Sequence, residues 1–104
     1  MAQYDLLIKG GTLFDSASGL HAPRDVAFAE GLVAAVETDI PASDAESVVD
    51  ASGHLVVPGM IDLHVHVFEG IGYLGIPPDS SCLARGVTTV VDAGTSGADT
   101  FPGF

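Results

Sequence analysis

The chain changes its pattern at Pro58-Gly59, and that break limits what it can fold into. Before it, short apolar segments alternate with turn signals. Residues 4–9 and 12–14 flank Gly10-Gly11, residues 25–29 and 32–37 flank Glu30-Gly31, and residues 47–50 and 54–57 flank Ala51-Ser52-Gly53. Each reads as a β-hairpin, with 15–23 as a loop, so residues 1–58 predict a small antiparallel sheet. After the break, 60–68 is a long, mostly apolar run of the kind buried on both faces of a parallel sheet. Residues 69–78 form a glycine-rich loop, Asp79 is a candidate N-cap for a short helix through Arg85, and Gly86 suits its stop. A second buried-type strand, 87–91, ends at Asp92 and the loop 93–99. Strand, loop, helix and strand make a βαβ unit, so 59–104 predicts the opening of an α/β domain.

One βαβ unit cannot cover both faces of its strands. The expectation is therefore a piece of a larger protein, since a complete (β/α)8 barrel takes roughly 200 residues or more and the chain has 104. Composition removes other classes. With 47% hydrophobic residues the chain is not disordered, and 3 basic against 14 acidic side chains, a formal net charge of -11, cannot build a nucleic-acid surface. No uncharged apolar run reaches the ~18 residues of a membrane span, and residues 1–9 do not resemble a signal peptide; the expected location is cytoplasmic. The single cysteine, Cys82, excludes an internal disulfide and a Cys-based zinc cluster. It is expected as a small buried apolar residue, with a reactive thiol as the other reading.

The stretch that carries chemistry is Pro58-Gly59-Met60-Ile61-Asp62-Leu63-His64-Val65-His66. In extended backbone alternate residues face the same way, so Asp62, His64 and His66 share one face and Leu63, Val65 and Val67 the other. Two imidazoles at that spacing suit one zinc-like ion, and the Asp62 carboxylate could orient a ligand from behind. The competing reading is a strand that tolerates two histidines in a core, which costs stability unless their nitrogens find partners.

The same residues resemble the first barrel-strand signature of the amidohydrolase superfamily of metal-dependent hydrolases. Asp50-Ala51-Ser52-Gly53 before Val56-Val57-Pro58-Gly59 resembles the end of that superfamily's N-terminal β-sandwich lobe, and Val87-Thr88-Thr89-Val90-Val91-Asp92-Ala93-Gly94 its second barrel strand. The resemblance implies an α/β fold: the start of a (β/α)8 TIM barrel at 59–104, preceded by part of the sandwich lobe at 1–58. It also implies that His64 and His66 ligate the more buried of one or two divalent ions, zinc foremost. The remaining ligands and a general-base Asp would lie beyond residue 104, leaving no catalytic base here and this piece inactive alone. Small amide or ester substrates are implied, and self-association stays open.

Dihydroorotases resembling this pattern carry an Arg two residues after the second His, where this chain has Phe68. The series His64-Val65-His66-Val67-Phe68-Glu69-Gly70, with Asp92-Ala93-Gly94 and Phe101-Pro102-Gly103-Phe104, looks more like the amidohydrolase/deacetylase branch, which cleaves acetyl amides or esters. A dihydroorotase- or hydantoinase-type cyclic amidohydrolase is the alternative. Glu69, Gly70 and Asp92 are candidate substrate-loop residues, and Asp62, Glu69 and Asp92 a candidate negative cluster favouring cations; the plainer reading makes Glu69 and Asp92 solvated carboxylates. A non-catalytic scaffold that has lost its metal is a further reading. Gly70-Ile71-Gly72-Tyr73-Leu74-Gly75 also fits a dinucleotide fingerprint, but that needs a helix starting within the glycines, and Pro77-Pro78 opposes one. Ser96 lacks the full nucleophile-elbow spacing, and His21 and His54 are expected at the surface.

Overall fold

A computed structural model describes residues 2–104, which fall into two compact units that meet in sequence at Pro58/Gly59. The first unit holds strands β1 (Tyr4–Lys9), β2 (Thr12–Asp15), β3 (Leu20–Pro23), β4 (Asp25–Ala29), β5 (Leu32–Glu37), β6 (Ala45–Asp50) and β7 (Leu55–Val56), with a 3₁₀ turn at Ala42–Asp44. They form two sheets, in the orders β5-β4-β1-β6 and β3-β2-β7.

The β4–β5 hairpin follows its turn chemistry: Glu30 and Gly31 have φ of 54° and 75°, the pair of positive values that matches strand twist in a two-residue turn. The other two expected hairpins do not form. β1 and β2 lie in different sheets, as do β6 and β7. Gly10, at φ 78°, carries the chain from one sheet to the other, and 51–53 does the same. The two crossings run side by side. β1 pairs in parallel with β6 and β2 in parallel with β7, while the Ala51 N–H donates to the Lys9 carbonyl at 2.8 Å and the Thr12 N–H to that of His54 at 3.0 Å. Both sheets are therefore mixed, not antiparallel. The predicted loop 15–23 contains β3, paired with β2 from Asp15↔Leu20 to Thr12↔Pro23; the Asp15 carboxylate accepts the Ala17 N–H at 3.0 Å and makes the turn between them. His21 thus lies on a strand, exposed, its ring edge-on to Phe14.

Leu7, Ala27 and Ile40 form the core of this unit, with Tyr4, Ala35 and Ala45 around them. Full burial of a leucine such as Leu7 stabilises by about 2 kcal/mol. Beside this core sits a buried acid. Asp25, 3% exposed, accepts the Gly10 N–H at 2.8 Å through Oδ1, and the Ile40 N–H and Lys9 Nζ, each at 2.9 Å, through Oδ2. Lys9 Nζ also donates to Asp39 and to the Ile40 carbonyl, both at 2.8 Å. Burial alone would push the Asp25 carboxyl up; the Ile40 N–H, the Lys9 ammonium and the Gly10 N–H outweigh it and hold the carboxyl below its ordinary range.

The second unit, Gly59–Phe104, holds β8 (Met60–Val65), helix α1 (Pro78–Ser81), a 3₁₀ turn at Leu83–Arg85, β9 (Val87–Asp92) and a 3₁₀ turn at Phe101–Gly103. β8 and β9 are parallel. Val65, Val67 and Cys82 are its core, flanked by Val87 and Val90, so Cys82 is the small buried residue expected. β8 stops at Val65 rather than running to residue 68. It is also not buried on both faces: Ile61 and Leu63, which alternate onto the same face as Val65, are exposed, because one short helical turn and one neighbouring strand cover only the C-terminal end of the strand around Val65 and Val67. The helix starts at Pro78, a residue with no N–H to lose in a first turn, so Asp79 lies within that turn instead of capping it. Gly86 ends the helical segment at φ 84°. No helix begins within 70–75, which sets aside the dinucleotide fingerprint. Among the described residues no helix is long and apolar enough to cross a membrane.

Gly59 is required for a different reason: a Cβ there would overlap the Thr88 side chain. Gly59→Ala should cost roughly 1–3 kcal/mol in urea unfolding, and Thr88→Ala in the same background should recover part of it; equal stability of Gly59→Ala and wild type would contradict the close approach. In the first unit, Asp25→Ala should cost about 3 kcal/mol, because it leaves two N–H groups and an ammonium without their acceptor. Asp39→Ala, at an exposed pair, should cost less than about 1 kcal/mol. Since the folded pKa of Asp25 lies below the unfolded one, its contribution is present above about pH 4 and lost as pH falls through the folded value; acid unfolding of Asp25→Asn should lack that component.

Candidate metal centre

The C-terminal ends of β8 and β9 are brought level by the Ala93 N–H, which donates to the Val65 carbonyl at 2.7 Å. Just beyond them Asp92 acts as a clamp. Its Oδ2 accepts the Val67 N–H at 2.9 Å, and its Oδ1 accepts the N–H groups of Gly94 at 3.0 Å, Thr95 at 2.6 Å and Ser96 at 3.3 Å. Desolvation pushes this carboxyl up, but the amides of Val67, Gly94 and Thr95 and the Thr95 hydroxyl outweigh it and hold it far below the usual carboxylate range. One charged side chain thus fixes both the segment after β8 and the loop after β9.

On that support stand the two histidines. His64 projects from β8 and is exposed, while His66, one residue past the strand, is half-buried. Their ring centroids are 5.6 Å apart at an interplanar angle of 73°, so the rings converge as the alternation of extended backbone requires. His66 Nδ1 lies 2.8 Å from Thr95 Oγ1, and its carbonyl accepts the Ile76 N–H at 2.9 Å as the glycine-rich loop returns. His66, Thr95, Gly94, Ile71, Tyr73 and Leu74 line an open concavity of about 250 Å³. Two imidazoles, one with its Nδ1 engaged by a hydroxyl, are a fitting partial donor set for a zinc-like ion. Among the described residues no group of three or more His, Cys, Asp or Glu converges on a metal position, so the pair is not a complete site.

Asp62 turns its Oδ1 to the N–H of His64 at 3.0 Å, bracing the backbone that carries the first ring. Glu69 and Gly70 are exposed in the loop, Gly70 at φ 83°. Phe68, at the position of the dihydroorotase Arg, packs edge-on to Phe104 with centroids 5.3 Å apart. His54 is exposed, with Nδ1 3.0 Å from the Ser52 carbonyl, and Ser96 is a loop residue whose N–H serves the Asp92 clamp. Thr95 carries no motif of its own in the sequence. The spacing Asp92-x-x-Thr95 is the available signal for it, since an Asp commonly caps the amides two and three residues on.

No family profile matches the chain. Among curated proteins it is 41% identical over 101 residues to a deacetylase of Enterococcus faecalis, covering 97% of this chain and 26% of that protein. It is 39% identical over 90 residues to an adenine deaminase of Rhizobium etli, covering 86% and 15%. A dihydroorotase of Citrifermentans bemidjiense is 43% identical over 70 residues, covering 66% and 16%. Among solved structures, an adenine deaminase superposes with a TM-score of 0.76 at 39% identity over 96% of this chain and 26% of its own. An N-acyl-D-glutamate deacylase of Bordetella bronchiseptica, complexed with zinc and a phosphonate inhibitor, gives 0.68 at 31% identity over 85% and 18%. The chain therefore spans between 15% and 26% of the length of these curated relatives. Sequence and backbone agree that it belongs to the amidohydrolase superfamily.

Proposed function

We propose that this chain supplies the first metal-binding strand of a metal-dependent hydrolase that breaks an amide C–N bond, or an acetyl ester, with an activated water. In this reading β8, α1 and β9 are the first βαβ unit of a (β/α)8 barrel, and the unit ending at Pro58 is part of a β-sandwich lobe. The observation that carries it is the pair of imidazoles converging at 5.6 Å at the C-terminal ends of two parallel strands, the end at which barrel enzymes place their chemistry. His64 and His66 hold the ion, and zinc is favoured because it is present in the N-acyl-D-glutamate deacylase neighbour. When bound, such an ion polarises a carbonyl and lowers the pKa of water toward ~7. Asp62 fixes the backbone of His64, and Asp92 fixes the loops on either side of His66. Ile71, Tyr73 and Leu74 give the concavity an apolar wall against which a small substrate can exclude water. The general base and the further ligands lie outside these 104 residues.

Phe68 favours an acylated amine or acetyl ester over dihydroorotate. At that position the chain offers an aromatic ring packed on Phe104 and no cation for a substrate carboxylate. Cyclic amide hydrolysis stands as the second reading because dihydroorotases are among the relatives.

In the full-length protein purified without chelator, metal analysis should find one or two zinc ions per chain. His64→Ala and His66→Ala should each lose metal and reduce hydrolysis to background, with folding checked by circular dichroism. N-acetyl amides should be turned over in preference to dihydroorotate. A folded protein that carries no metal and gains no hydrolase activity when zinc is added would leave the scaffold reading in its place.

A further inference from the structure

The Asp92 clamp has a second product. It fixes Val67, the residue after His66, and through 2.6 Å the N–H of Thr95, so the backbone on both sides of the His66–Thr95 contact is held by one carboxylate. The Thr95 hydroxyl then meets Nδ1 of His66 at 2.8 Å. Two arrangements fit that distance. Either Nδ1–H donates to Oγ1, or the hydroxyl donates to a bare Nδ1; in the second the ring proton sits on Nε2 and leaves that nitrogen no lone pair for a metal. The Thr95 backbone is held by Asp92 through its N–H at 2.6 Å, which keeps the hydroxyl beside the ring. Of the two arrangements, only the one in which Nδ1–H donates leaves Nε2 with a lone pair for an ion, so the metal reading of the pair selects it.

We propose that Thr95 is a positioning residue: its hydroxyl accepts the His66 Nδ1–H, fixing both the plane of the ring and the tautomer that leaves the Nε2 lone pair for the ion. This rests on the metal reading of His64 and His66, and it goes beyond that reading by assigning the group that orients the second ligand. Outer partners of this kind typically change metal affinity by roughly 10- to 100-fold. The hydroxyl acts on the ion through the ring, and the Thr95 backbone N–H stays with Asp92 whatever side chain it carries.

The test uses the full-length protein, metal-free, at about pH 8.5, where an ordinary imidazole is neutral. Long-range proton–nitrogen correlation spectra of His66 should show the Nδ1–H tautomer in wild type and a shift toward Nε2–H in the near-isosteric Thr95→Val. Thr95→Ser, which keeps the hydroxyl, should restore the wild-type pattern. Zinc affinity, measured by chelator competition, should fall about 10- to 100-fold in Thr95→Val and return in Thr95→Ser. A wild-type His66 protonated on Nε2, or a Thr95→Val protein with unchanged tautomer and affinity, overturns the assignment. Zinc affinity in His66→Ala separates the two levels: if it equals that of wild type, the metal reading itself has failed, whereas the tautomer is read without metal and judges Thr95 alone.

Discussion

The carboxylate of Asp92 is the constraint on which the candidate metal centre depends. It closes β9, and its two oxygens together receive four backbone N–H groups from segments on either side. Loop backbone at the end of a parallel sheet carries donors that the ladder cannot use, and a single ionised acceptor satisfies several at once. The gain is positional as well as energetic. Because Val67 and Thr95 are both held, the backbone after His66 and the hydroxyl beside its ring keep their places, and two imidazoles are presented together without a helix or disulfide to brace them.

The first unit solves an equivalent problem with Asp25. There the donors are the N–H groups of Gly10 and Ile40 and the Lys9 ammonium, and the place held is the crossing from one sheet to the other. In a chain with 14 acidic residues, these two stand apart because each gathers several backbone donors, at least one of them from a distant segment of the chain, whereas Asp15, Asp50 and Asp62 each accept a single backbone N–H two residues on. Most of the others face water. The charge that excludes nucleic acid at the level of composition is thus of two kinds, and only location separates them.

Local chemistry was legible where it acts on local geometry. Glu30-Gly31 makes a two-residue turn because both residues adopt positive φ, and Gly86 ends a helical segment for the same steric reason. The parallel pairing of the strands after Pro58 followed from the need for a crossover between them. The ring pair also followed, since side chains two apart in extended backbone share a face. The misread turns are equally physical. Gly10-Gly11 and Ala51-Ser52-Gly53 carry turn residues, but such residues mark a change of direction without saying whether the chain reverses or steps into a second sheet. The strand at Leu20–Pro23 is short, closes on a proline and sits at an edge, so it has little alternation to announce it. Asp79 has the side chain of a cap, but Pro78 begins the helix one residue earlier, because a proline has no N–H to lose in a first turn.

What the sequence determined by itself is the set of short-range consequences: the break at Pro58-Gly59, the β-rich first half, the strand–helix–strand second half, the shared face of His64 and His66, and the excluded classes. Each depends on torsion preferences, spacing or net charge, which are properties of neighbouring residues. The tertiary structure alone decided which strands pair across 40 residues, how a carboxylate at position 92 reaches the amide at 67, and that a threonine at 95 meets the ring at 66. Those are contacts between segments far apart in the chain. No local preference encodes them, because their free energy exists only once loop closure has brought the partners together.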